Sequence, residues 1–135
     1  MDLLVNIDVP DLERAVAFYM KAFDLGVTRR FGAAAAELSG WPVRLYLLQK
    51  AEGSAGAAES LRCYDRHWTP VHLDVVVEDI GAALSRAIEA GARAETEIRV
   101  EPWGKIGVLA DPFGHGICLI EFVGRGYDEV ADQVT

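Results

Sequence analysis

His72 and Asp74 stand two residues apart in "VHLDVVV", and Cys118 and Glu121 stand three apart in "GICLIEF". In an extended strand, residues two apart share a face, so His72 and Asp74 form a side-by-side pair with the chemistry for proton transfer. Glu121 has the opposite parity to Cys118 and is expected to point to the other side of its strand. Two further strands add polar groups: "LLVNIDV" carries Asn6 and Asp8, and "VRLYLLQ" carries Arg44 and Tyr46. If Leu73, Val75 and Val77 pack on a helix, then His72, Asp74 and Val76 face away from it. The same alternation places Leu4, Asn6 and Asp8 on that face. Asn6, Asp8, Arg44, Tyr46, His72 and Asp74, with Cys118 and with Trp103 of the hairpin "EPWGKIG", describe a pocket with a few polar groups between apolar walls. Such a lining suits a small organic ligand.

Each of these residues also has a structural reading. His72 is equally a satisfied core histidine, and Cys118 behaves as a small hydrophobe when buried and free. Asp8 and Asp74 need partners wherever they are buried, with Arg44 or backbone donors as the candidates. Pro112 and Gly114 in "DPFG" have the φ preferences of a tight turn, which makes that segment architectural, with His115 exposed beyond it. His67 and Trp68 shape the pocket mouth or anchor a crossing between elements.

The elements that must position these residues are written twice. Asp11 sits at a helix N-cap, and Leu12, Ala15, Val16, Tyr19, Ala22 and Phe23 recur at helical spacing before Gly26. In the second half Asp79 caps, Ile80, Ala83, Leu84, Ala87 and Ile88 form the stripe, and Gly91 ends the helix. An ungapped offset of 68 residues superimposes Asp11 on Asp79 and Ala15 on Ala83. Strand-like runs follow each helix: "VTRRF", "AAAAEL" and "VRLYLLQ", then "RAETEIRV", "KIGVLA" and "GICLIEF". The chain is therefore α+β, two tandem βαβββ modules forming a cup-shaped mixed sheet with the helices outside. We place module one at residues 1–59, module two at 60–123 and a polar tail at 124–135. The segment "LRCYDRHWTP" reads as an ordered linker.

Composition narrows the partners. A chain of 135 residues, 51% hydrophobic, builds one core and buries roughly two thirds of its unfolded surface. A net charge of −8, with no run of Lys or Arg, disfavours nucleic acid and anionic membranes. No apolar stretch approaches a membrane span, and the start has no basic, signal-like region, which predicts a cytoplasmic protein. Cys63 and Cys118 are too few for a disulfide framework.

The opening "VPDLERAVAFY", with its D-x-x-x-A-x-x-F-Y pattern, and the closing "LADPFGHGICLIEF", set in a repeated frame, resemble the vicinal oxygen chelate superfamily. That superfamily includes glyoxalase I, the bleomycin and fosfomycin resistance proteins and the extradiol dioxygenases. The resemblance spans nearly the whole chain and implies a homodimer whose paired modules complete a cup. Its metalloenzymes take one ligand, usually His or Glu, from the first and last strand of each module. At those positions this chain has Leu4 (Asn6 under a gapped alignment), Tyr46, His72 and Cys118. Only His72 matches, with Cys118 as a soft candidate beside it.

The expected function is therefore metal-independent binding of a small organic molecule in the cup, with no cofactor. Two alternatives stand beside it. One is a divalent-metal-dependent lyase, isomerase or dioxygenase with substitute ligands from His72, Cys118, Asp74 or Asp8. The other is a metal-free acid–base enzyme using His72 and Asp74.

Overall fold

A computed structural model describes residues 1–134. Two helices and nine strands follow in the order β1 (Leu4–Val9), α1 (Leu12–Phe23), β2 (Gly26–Phe31), β3 (Ala35–Ser39), β4 (Arg44–Gln49), β5 (Leu73–Val76), α2 (Ile80–Ala90), β6 (Arg93–Ala94), β7 (Arg99–Glu101), β8 (Gly104–Ala110) and β9 (Gly116–Phe122). The strands form two open mixed sheets, β1-β4-β3-β2 and β5-β9-β8-β6, with β7 also paired to β8. In each sheet the first strand lies parallel to the last of its half and forms an edge. The architecture is α+β, as the repeated pattern predicts.

The caps fall where the sequence puts them. The Asp11 carboxylate accepts from the Arg14 amide at 3.2 Å, and the Asp79 carboxylate from the Ala82 amide at 3.0 Å. Each satisfies a helix amide that has no partner within the helix. A second device is shared between the halves. Gln49 Oε1 accepts from the Leu12 amide at 2.8 Å, and Glu121 Oε2 accepts from the Ile80 amide at 2.9 Å. The last strand of each half thus clamps the first turn of its helix. Glu121 is thereby turned away from the face that carries Cys118, as its parity requires.

Helix α1 ends earlier than its glycine suggests. Asp24, with φ 55°, occupies the left-handed cap position, and Gly26 already begins β2. A short polar side chain tolerates that conformation, so the stop did not need the glycine. Helix α2 does end on Gly91, at φ 123°. The "RAETEIRV" run is two short strands, β6 and β7, rather than one. His72 lies one residue before β5 rather than within it.

Val9, Leu12, Ala15, Tyr19, Leu45 and Leu47 from the first half join Ile80, Ala83, Leu109, Ile117 and Leu119 from the second in one buried core, where α1 packs on α2. The strand faces divide as alternation demands. Val5, Ile7, Val75 and Val77 pack against this core, while Leu4 and Val76 are exposed on the other side.

Polar contacts tie the halves together. Arg86 donates to the Ala22 carbonyl, and the linker is held by Arg62 on Asp8 at 2.7 Å, Tyr64 on the Lys50 carbonyl and Arg66 on Glu95 at 2.6 Å. The segment "LRCYDRHWTP" is ordered by those contacts. The tail adds a 3-10 turn at Gly126–Glu129, and its Tyr127 packs on Trp103 and Phe122.

Candidate functional site

The parallel pairing of β1 with β4 sets Asn6 opposite Tyr46, and that of β5 with β9 sets Asp74 opposite Cys118. The two pairs are equivalent in the repeat, and Leu4 and His72 each stand two residues earlier. The ungapped alignment is therefore the structural one.

In the second half, His72, Asp74 and Cys118 come together. His72 Nδ1 lies 2.9 Å from Asp74 Oδ1 and 3.9 Å from Cys118 Sγ, and one donor atom from each of the three falls within 4.8 Å of the others. The imidazole also packs against Trp68, with ring centroids 4.9 Å apart. Cys118 is buried. Desolvation first, and the neighbouring Asp74 carboxylate second, push its thiol up to about 11, so it stays protonated at neutral pH.

The corresponding place in the first half holds a different cluster. Glu37 on β3, only 3% exposed, accepts from Tyr46 Oη at 2.5 Å, from Thr28 Oγ1 at 2.7 Å and from Arg29 at 2.5 Å. Hydrogen bonds from Arg29, then Tyr46 and Thr28, lower the Glu37 carboxyl to about 2. The same hydrogen bond to Glu37 raises the Tyr46 phenol above its ordinary value. Sequence reasoning passed over Glu37. Its signal was a lone carboxylate in the small apolar run "AAAAEL", on the strand that must pair with "VRLYLLQ".

These environments test the superfamily's four-ligand metal site. Leu4 has no donor atom, the Tyr46 hydroxyl is committed to Glu37, and Cys118 puts a buried thiol where the superfamily's metalloenzymes have a carboxylate. Only His72 is of the residue types that the superfamily site uses, so the residues at the four positions do not fit that site.

The remaining predicted residues disperse. Asp8 is paired with Arg62, not with Arg44. Arg44 is exposed and has no ion-pair partner among the described residues. Trp103 packs on Phe122 and Tyr127, and its carbonyl accepts from the Val123 amide.

Two hollows open between β1 and the second sheet. One, of about 310 Å³, is lined by Val5, Trp41 and Val43 on one side and by Leu73, Asp74 and Val76 on the other. The other, of about 290 Å³, lies between β1, the linker and the DPFG turn, and its wall includes Asn6, Cys63, His67, His72 and His115. Tyr19 closes part of it from the core side.

His115 is not free in solvent as the sequence suggested. Its Nδ1 lies 2.8 Å from Asp111 Oδ2, and its side chain is 31% exposed. Asp111 is buried and also accepts from Tyr19 Oη at 2.7 Å and from the amides of Phe113 and His115 at 2.8 and 2.9 Å. The turn is architectural, but through a buried carboxylate that joins α1 to the second sheet. Burial first, then the Asp111 charge, raise the Tyr19 phenol well above its ordinary value, so it serves as a donor.

Paired βα units with open mixed sheets, parallel first and last strands, and clefts between the halves define the vicinal oxygen chelate class. The profile of the glyoxalase-like domain matches residues 4–120, and the chain belongs to that family. Uncharacterised proteins of Mycobacterium bovis and Mycobacterium tuberculosis are 35% identical to it over 117 residues. The match covers 79% of this chain, and 74% and 66% of their own lengths. Solved structures with the same fold include a glyoxalase/bleomycin resistance protein/dioxygenase family enzyme from Burkholderia phytofirmans. Its TM-score is 0.71 at 17% identity, over 91% of this chain and all (100%) of that one. A fosfomycin resistance protein from Mesorhizobium loti follows, with TM-score 0.69 and 17% identity over 96% of each chain. A lactoylglutathione lyase from Agrobacterium tumefaciens has TM-score 0.63 and 16% identity, over 90% and 92%. No helix among the described residues is long and apolar enough to cross a membrane.

Proposed function

We propose that this chain is a metal-independent small-molecule-binding protein, holding an organic ligand between its two modules and working as a homodimer. One observation carries the reading: at the four positions where superfamily metalloenzymes place ligands, the chain has an aliphatic side chain, a phenol spent on Glu37, one imidazole and a buried thiol in place of a carboxylate. The clefts beside them have the dimensions and mixed lining of an organic ligand site.

A second reading rests on the contact between His72 and Asp74. A carboxylate on Nδ1 fixes the imidazole tautomer and leaves Nε2 as a proton acceptor, which is the arrangement of a general base. The same two groups with Cys118 form a set from which a substitute metal site in the second half could be assembled.

Elemental analysis of purified, unchelated protein, with thermal unfolding in the presence of zinc, nickel and manganese ions, separates metal-independent binding from the substitute metal site. Under metal-independent binding no ion co-purifies and the unfolding midpoint is flat with added metal. A stoichiometric ion, or a stabilisation removed by His72→Ala, would sink it. An ion at a hundred times its dissociation constant adds about 2.7 kcal/mol, well above detection. Sedimentation velocity tests the dimer.

A further inference from the structure

The chain has three histidines, and all three line the 290 Å³ cleft. In each, the short contact of Nδ1 is to an oxygen that can only accept: the Asp65 carbonyl for His67 at 2.9 Å, the Asp74 carboxylate for His72 at 2.9 Å, with the Cys118 sulfur farther off at 3.9 Å, and the Asp111 carboxylate for His115 at 2.8 Å. A carbonyl or carboxylate oxygen has no proton to give, so in the neutral ring the proton sits on Nδ1. Nε2 then carries a lone pair, and in none of the three does it meet a protein partner among the described residues.

Imidazoles oriented in this way are also what a metal centre uses. The spacing decides against a shared ion here. Among the described residues, the sets of three or more such donor atoms within 4.8 Å of one another are His72, Asp74 and Cys118, and Glu52, Cys63 and Asp65, and neither joins two histidines. Three lone pairs too spread for a single ion suit separate hydrogen bonds to a larger molecule.

Resting on the reading of the chain as a binder of organic molecules, we infer that this cleft selects a neutral ligand bearing at least two hydrogen-bond donors, a hydroxylated ring or chain, with His115 and His72 accepting. His115 is the better fixed of the two, because Asp111 is itself anchored by Tyr19 and two backbone amides. Carboxylate or phosphate ligands are disfavoured: they bring acceptors to acceptors, and Asp74 and Asp111 stand directly behind the rings.

Three probes of one shape test this at pH 8, above the ordinary imidazole range: resorcinol with two donors, 1,3-dimethoxybenzene with none and isophthalate with two negative charges. Calorimetry gives the affinities, and long-range proton–nitrogen NMR gives the tautomer and the shift of each imidazole nitrogen. All three rings are expected in the Nδ1–H form. Resorcinol is expected to bind about tenfold tighter than its dimethyl ether, as two net hydrogen bonds imply, and to move the Nε2 signals of His72 and His115. His115→Phe should cut resorcinol affinity toward that of the ether and leave the ether unchanged. Equal binding of resorcinol and its ether, or preferred binding of isophthalate, overturns the selectivity while leaving organic binding in place. Absence of binding by all three removes both the selectivity and this cleft as the binding site. An Nε2–H tautomer at His72 or His115 overturns the inference in the unmutated protein, whatever the variant's folding.

Discussion

Tyr19→Phe removes one hydroxyl from the interior and nothing else. The ring is fully buried, packed edge-on against Phe18 at 5.0 Å and tilted against Phe23 at 5.9 Å, and phenylalanine preserves those contacts. What is lost is the 2.7 Å hydrogen bond to Asp111. Hydrogen bonds to charged groups contribute about 1.5–3 kcal/mol. Asp111 retains the Phe113 and His115 amides and the His115 ring, so its charge is not left bare, and the loss should fall near the lower part of that range, about 2 kcal/mol. For a domain of this length the unfolding entropy is roughly 0.3 kcal/mol per degree, so the midpoint should drop by about 7 °C. Differential scanning calorimetry at pH 7, with urea unfolding as the second probe, measures both numbers. Asp111→Ala should cost more, because it leaves a buried phenol and two amides without their acceptor. A Tyr19→Phe midpoint within a degree of the parent would refute the reasoning. It would mean that the α1 contact to the DPFG turn is made by packing alone.

Three more outcomes follow from the same contacts. Folding lowers the Glu37 carboxyl to about 2, so its contribution to stability is present above the ordinary carboxylate range and lost as pH falls through that range toward 2. Urea midpoints of the parent and Glu37→Gln should differ at pH 7 and converge near pH 2; a difference independent of pH would contradict the ionic account. Cys63 is exposed, whereas Cys118 is buried with its thiol near 11. At pH 8 a disulfide reagent such as dithiobis-nitrobenzoate should therefore titrate one thiol quickly and the second only on unfolding. Two thiols reacting at similar rates would show the β9 face to be open. Gln49→Ala and Glu121→Ala each free a helix amide at N1, and each should cost about 1 kcal/mol. A loss for one and none for the other would break the equivalence of the two halves.

How far the sequence could be read follows from where each signal lives. The repeat, the two Asp caps, the Gly91 stop and the strand faces were legible because they depend on neighbours within a few residues, through φ preferences and the alternation of side chains. The site was legible only in its second half. His72, Asp74 and Cys118 are joined by one strand pairing whose register the repeat supplies. Glu37 was not, since its importance comes from Arg29, Thr28 and Tyr46 arriving from two other strands. His115 failed for a related reason. A turn histidine reads as solvated until Asp111 is seen to be buried beneath it and bound to a tyrosine 92 residues away in the chain.

The two halves have also diverged in a physically consistent way. Where the repeat equates Tyr46 with Cys118, the first half filled the position with a phenol and neutralised the buried carboxylate beside it with Arg29, which makes that half a closed polar knot. The second half has an imidazole and a carboxylate with no arginine between them, the groups that under the proposed function would engage a guest. The linker then brings His67 alongside His72 and His115, adding a third oriented ring from outside both sheets. His72 belongs both to the four superfamily ligand positions and to the cleft that His67 and His115 also line, and in all three rings Nδ1 is held by an oxygen acceptor; under the function proposed above, that shared orientation makes this cleft the place to look for the ligand.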